Sequence, residues 1–98
     1  MELKTIIVED EETSREILRN YLTKYCPKVT IVGEAENVDE ALVLIRNHKL
    51  DLVFLDVEMP KGNAFDLLEQ VGDRTFETVF VTAYNQYAMD ALNTHASY

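Results

Sequence analysis

The chain has 98 residues, 47% of them hydrophobic and 28% charged, which is enough for one domain with one core and excludes a second. Eighteen acidic residues against nine basic ones leave a net charge of -9, which repels a phosphate backbone and argues against direct contact with nucleic acid. No apolar run approaches the roughly 20 residues of a membrane span, and MELKTIIVED lacks the basic start and cleavage site of a signal peptide, so a cytoplasmic protein without a membrane partner is expected.

The first element is KTIIVED (residues 4–10), a strand whose near-continuous apolar run marks burial on both faces. TSREILRNYLTKY (13–25) follows as a helix, with Ile17, Leu18, Tyr21, Leu22 and Tyr25 on one face and Thr13 and Glu16 spaced as a capping box. Cys26, the one cysteine, excludes an internal disulfide and reads as a small filler at the helix end. KVTIVGEA (28–35) alternates more, as a sheet-edge strand does. In NVDEALVLIRNH (37–48), Asn37 is the N-cap, Asp39 and Glu40 sit in the first turn, and Val38, Ala41, Leu42 and Ile45 form the apolar stripe.

DLVFLD (51–56) is a third, strongly apolar strand. NAFDLLEQV repeats the capped-helix device from Asn63, and ETVFVTA (77–83) reads as a fourth strand covered on both faces. NQYAMDALNTH starts a last helix at Asn85, with Tyr87, Ala88, Ala91 and Leu92 inward. Strand and helix thus alternate four times, which predicts an α/β domain with a parallel sheet and right-handed crossovers.

In such a sheet, ligands bind beyond the carboxyl ends of the strands. Strand one ends in Glu9 and Asp10, strand three in Asp56 and strand four in Thr82, all at one rim. A pair of carboxylates ~4 Å apart at an effective dielectric of ~20 repel by about 4 kcal/mol, so either one is protonated or a cation sits among them. A hard ion, Mg²⁺ first, suits carboxylates, a backbone carbonyl and water, and its natural companion is a phosphoryl group. A carboxylate there can itself be the nucleophile, and Asp56 is the best candidate because Met59, Pro60 and Gly62 follow it in a pocket-shaping loop. Thr82 is placed to hydrogen-bond a phosphoryl oxygen. Against these stand an acidic helix start over Glu9–Glu12, a helix cap at Asp56, and a satisfied strand hydroxyl at Thr82.

Glu9 and Asp10 after IIV, LVFLDVEMPKGNAFDLL around Asp56 and VFVTAYNQYAMDAL around Thr82 together resemble the receiver domain of two-component response regulators over the whole chain. FLDVEMP and VTAYNQYAMDA are most similar to receivers joined to a DNA-binding output of the LytTR type. The resemblance implies a flavodoxin-like, doubly wound parallel sheet of order 2-1-3-4-5. It implies that Asp56 takes a phosphoryl group from a sensor histidine kinase, so that the chain is a phosphoacceptor rather than an enzyme. Asp10 and Asp56 would ligate Mg²⁺ directly, Glu9 through water, and Glu58 by its backbone carbonyl. Thr82 would bind the phosphoryl group and act as the switch, Ala83 would leave it room, and Tyr84 would lie near the mouth.

Two departures accompany the resemblance. Glu9 stands where the family usually has Asp, and the sequence stops at Tyr98, where a fifth strand with its lysine should begin. The expectation is therefore a receiver over 1–98, C-terminally incomplete, of order 2-1-3-4 with the fifth strand and fifth helix missing. Val79, Phe80 and Val81 would then border an open sheet edge, covered by a homodimer or an element-swapped oligomer. DNA would be reached only through an output domain outside this chain. The alternatives are an aspartyl-phosphate phosphohydrolase with Glu58 as its acid, and an interaction module that takes no phosphate.

Overall fold

The computed structural model describes residues 2–57, 64–72 and 74–81. Four strands alternate with three helices: β1 (Leu3–Val8), α1 (Glu12–Tyr25), β2 (Val29–Ala35), α2 (Val38–Asn47), β3 (Leu52–Asp56), α3 (Ala64–Val71) and β4 (Glu77–Val81). All neighbouring strands pair in parallel, in the order β2-β1-β3-β4. This is the doubly wound sheet that the alternation of elements predicts. The helix expected over residues 85–95 and the cap at Asn63 lie outside the described residues.

Strand alternation splits the apolar residues between two cores. Ile6 and Val8 of β1 and Val53 and Leu55 of β3 face α2 and α3, where they pack with Ala41, Leu42 and Leu67. Ile7 and Phe54 point the other way and pack with Leu18 and Leu22 of α1 and with Val81. The central strands β1 and β3 are therefore buried on both sides, while β2 is half-buried along most of its length, as an edge strand should be. A register shift in the β1–β2 pairing falls between Thr5 and Ile6, next to Gly33. A Cβ at Gly33 would lie 2.9 Å from Leu44 Cδ2, so a larger residue in this irregular stretch would require the Leu44 side chain on α2 to shift. Gly72, at φ 72, takes the left-handed conformation that closes α3, and its amide bonds back to Leu68 O at 3.2 Å.

Asn37 caps α2: its side chain accepts the Glu40 amide at 2.9 Å, and the Glu40 carboxylate accepts the Glu36 amide at 2.9 Å in return. Asn37→Ala should lower stability by about 1 kcal/mol, read as an earlier urea midpoint at unchanged slope.

Three expectations are corrected. The Thr13–Glu16 capping box does not form, because α1 begins at Glu12 with Glu11 as N-cap and Thr13 is already inside the helix. Of the apolar face expected on α1, Leu18 and Leu22 are buried, but Ile17 and Tyr25 are 57% and 54% exposed. The sheet meets a narrower stripe, in which Arg15 rather than Ile17 accompanies the two leucines. Strand β4 is not covered on both faces: Val81 is buried, but Phe80 is exposed and stacks its ring 5.7 Å from that of Phe65.

Candidate functional site

The two central strands deliver the acids. Asp56 is the last residue of β3, two positions beyond Phe54, and Glu9 stands two positions beyond Ile7, just past the end of β1. Glu9 continues the sheet ladder by donating its amide to Ala35 O at 2.9 Å, which fixes the amide side of its backbone. Since Ile7 and Phe54 share the face toward α1, the alternation carries Glu9 and Asp56 to that same side. Asp10 opens the turn into α1.

Carboxylate oxygens of Glu9, Asp10 and Asp56 all lie within 4.8 Å of one another. Glu9 and Asp56 are buried, at 3% and 1% exposure, and Asp10 is open to solvent. This crowding has a measurable consequence in the absence of a cation. Burial, first, and then a hydrogen bond to Asp56 push the Glu9 carboxyl up from 4.5 to about 8. The charges of Asp56 and Asp10 act in the same direction, and the Glu11 amide, which donates to Glu9 Oε1 at 3.2 Å, acts against them. Near neutral pH these influences favour the protonated form of Glu9, hydrogen-bonded to Asp56.

The donor set also fits a hard divalent cation. Three carboxylate oxygens converge, two from buried side chains and one from an exposed side chain, which leaves an open side for water and a further ligand. Among the described residues this is the group of acids close enough to hold such an ion. Glu58, Thr82 and Ala83, expected to complete the site, lie outside the described residues, as does Tyr84. The register nevertheless sets the end of β4 against the site: Val81 pairs with Asp56, and the Val57 amide donates to Val81 O at 3.0 Å.

Arg15 is the residue that sequence reasoning missed. Its Nη1 donates to the backbone carbonyl of Glu9 at 2.8 Å, its Nη2 reaches Glu36 Oε1 at 3.3 Å, and its Nε lies 3.4 Å from Glu34 Oε1. Arg19, one turn on, pairs with the other Glu34 oxygen at 2.8 Å. The signal was present as two arginines four apart on α1 and two glutamates two apart at the end of β2, a matching spacing of helix turn and strand pleat.

The sequence matches the profile of the response regulator receiver domain over residues 5–98, and the chain belongs to that family. It is 40% identical over 96 residues to the sensory transduction protein LytT of Enterococcus faecalis, covering 96% of this chain and 39% of that protein. A response regulatory protein of Vibrio cholerae is 38% identical over 95 residues, covering 96% of this chain and 40% of its own length. The chain thus spans about two-fifths of the curated relatives it matches. Among solved structures, the response regulator TrrA of Thermotoga maritima, in complex with Mg²⁺-BeF, superposes with a TM-score of 0.73 at 30% identity, covering 89% of this chain and 74% of that one. The response regulatory domain of mrkE from Klebsiella pneumoniae gives 0.72 at 27% identity, covering 92% and 75%. The protein is a two-component receiver domain with a flavodoxin-like sheet. Among the described residues no helix is long and apolar enough to cross a membrane.

Proposed function

We propose that this chain is the phosphoacceptor part of a cytoplasmic response regulator, with Asp56 as the residue that takes the phosphoryl group from a sensor histidine kinase. The observation that carries the reading is the convergence of Glu9, Asp10 and Asp56 within 4.8 Å at the carboxyl rim of the sheet. An Asp56 carboxylate oxygen attacks phosphorus, the bond from phosphorus to the kinase histidine nitrogen breaks, and that nitrogen leaves to take a proton from solvent. Burial keeps water away from Asp56, and the ladder bonds of β3 hold its backbone rigid for in-line attack.

Glu9, Asp10 and Asp56 would hold Mg²⁺ with the Glu58 carbonyl, and the ion would offset the negative charge of the acids and of the phosphoryl oxygens. The structure of TrrA with Mg²⁺-BeF supports the choice of cation. Thr82 is assigned to bind the phosphoryl group and Ala83 to leave space for it. The chain is an acceptor that is modified, not an enzyme with a separate substrate. A DNA-binding output and a homodimer belong to the same proposal; the chain spans 39% of the length of LytT, so a whole protein of that kind has room for an output domain.

Incubation with acetyl phosphate and Mg²⁺ should produce a shifted band on a phosphate-affinity gel, and EDTA should abolish it. The 98-residue chain and the full-length response regulator are both needed. A missing shift in both, or a shift indifferent to EDTA, would overturn the assignment.

A further inference from the structure

We infer that Arg15 is a positioning residue for the acidic site, holding Glu9 by its backbone carbonyl and anchoring it to the end of β2. The inference rests on the cation-binding reading given above. Glu9 lies beyond the last residue of β1, in the short link to α1, and such links move unless their backbone groups are fixed. Its amide is fixed by Ala35 O, and its carbonyl is fixed by Arg15 Nη1 at 2.8 Å in a buried contact. The remaining guanidinium nitrogens meet Glu34 and Glu36, so one planar fork joins α1, β2 and the link that carries Glu9 and Asp10.

Arg15 is buried although charged, a placement that requires partners on every donor edge, and all three of its nitrogens have one. Arg19 supplies the comparison: it shares Glu34 but is bonded to no part of Glu9, and it is more exposed. Any role of the ion pairs in stability alone is common to both arginines; holding Glu9 belongs to Arg15.

Arg15 acts on the carbonyl and not on the carboxyl. The groups that bear on the Glu9 carboxyl are Asp56, the Glu11 amide and Asp10, besides its burial. Loss of the fork therefore loosens the ligand without removing a charge from beside it. A residue that orients a metal ligand commonly changes affinity about 10- to 100-fold when it is lost. The lower end applies here, because only one of three carboxylates is held this way.

The test compares Arg15→Gln, Arg15→Lys and Arg19→Gln with the parent chain by Mg²⁺ titration calorimetry, and by amide hydrogen exchange at Glu11 in EDTA. Arg15→Gln should weaken Mg²⁺ about tenfold and speed Glu11 exchange, while Arg15→Lys, with charge but no fork, should weaken it about threefold. Arg19→Gln, which breaks only the more exposed pair with Glu34, should stay within about twofold of the parent in Mg²⁺ affinity and leave Glu11 exchange unchanged. Unchanged exchange at Glu11 in a folded Arg15→Gln chain would overturn the inference, as would Mg²⁺ binding as tight as the parent's. A purely electrostatic role predicts tighter binding in Arg15→Gln, since Glu34 and Glu36 are then left uncompensated. Failure of the parent to bind Mg²⁺ would remove the cation reading, and the exchange rates would still decide whether Arg15 holds Glu9.

Discussion

Asp56→Asn should abolish the Mg²⁺-dependent acyl phosphate completely and, in the same chain without metal, raise the thermal midpoint at pH above 8. The first effect follows because the amide has no nucleophilic oxygen. The second follows from the crowding of Glu9, Asp10 and Asp56. Once all three are ionised, unit charges at that spacing repel by about 3 kcal/mol at an effective dielectric of ~20, and relaxation leaves roughly 1–3 kcal/mol to be recovered by the neutral isostere. The Glu9 carboxyl should fall in the variant, since the hydrogen bond and the charge of Asp56 both push it up, but burial, the largest cause, should keep it above 4.5. Melting curves in EDTA at pH 6 and pH 9 check this. An Asp56→Asn chain that is less stable than the parent at pH 9 would mean that Asp56 is held by contacts worth more than the repulsion.

Mg²⁺ should bind about tenfold more weakly for each pH unit below 8, because the ion competes with the proton on Glu9. The sign in the metal-free chain is opposite to that of a salt-bridged acid. The folded-state value, about 8, lies above the unfolded value of 4.5, so the contribution of Glu9 to stability is complete below 4.5, declines as pH rises from 4.5 to 8, and is lost above that. Saturating Mg²⁺ holds Glu9 ionised and reverses the slope in that window. Calorimetric titration at pH 6, 7 and 8, repeated in two buffers of different ionisation enthalpy, should show weaker binding at low pH and about one proton released per ion at pH 7. An affinity independent of pH between 6 and 8 would show that Glu9 does not carry the proton.

Much of this was legible because the relevant signals are local or fall on a simple lattice. Asn37 was legible as the N-cap of α2, and its side chain accepts the Glu40 amide as that reading requires. Glu9, Asp10 and Asp56 were gathered by one rule, that parallel strands end at a common rim, and that rule needs no side-chain detail. The apolar stripe of α1 was wide enough to contain two faces. Periodicity cannot tell which half meets the sheet, so Ile17 and Tyr25 were misplaced inward. The Thr13–Glu16 spacing was a genuine capping pattern, defeated because Glu11 occupies the cap and the Glu9 carboxylate accepts its amide. Arg15 escaped notice because its partner Glu36 is 21 positions away, and a cross-element pair of this kind becomes visible only when helix and edge strand are placed side by side.

The central claim, that Asp56 is the phosphoryl acceptor of a carboxylate site built by β1 and β3, is tested most directly by locating the modification. The acetyl-phosphate-treated protein is reduced with borohydride and its peptides sequenced by tandem mass spectrometry. Conversion of Asp56 to homoserine, and of no other acid, is the predicted result. Modification at another residue, or at Asp56 with equal yield in EDTA, would contradict the account.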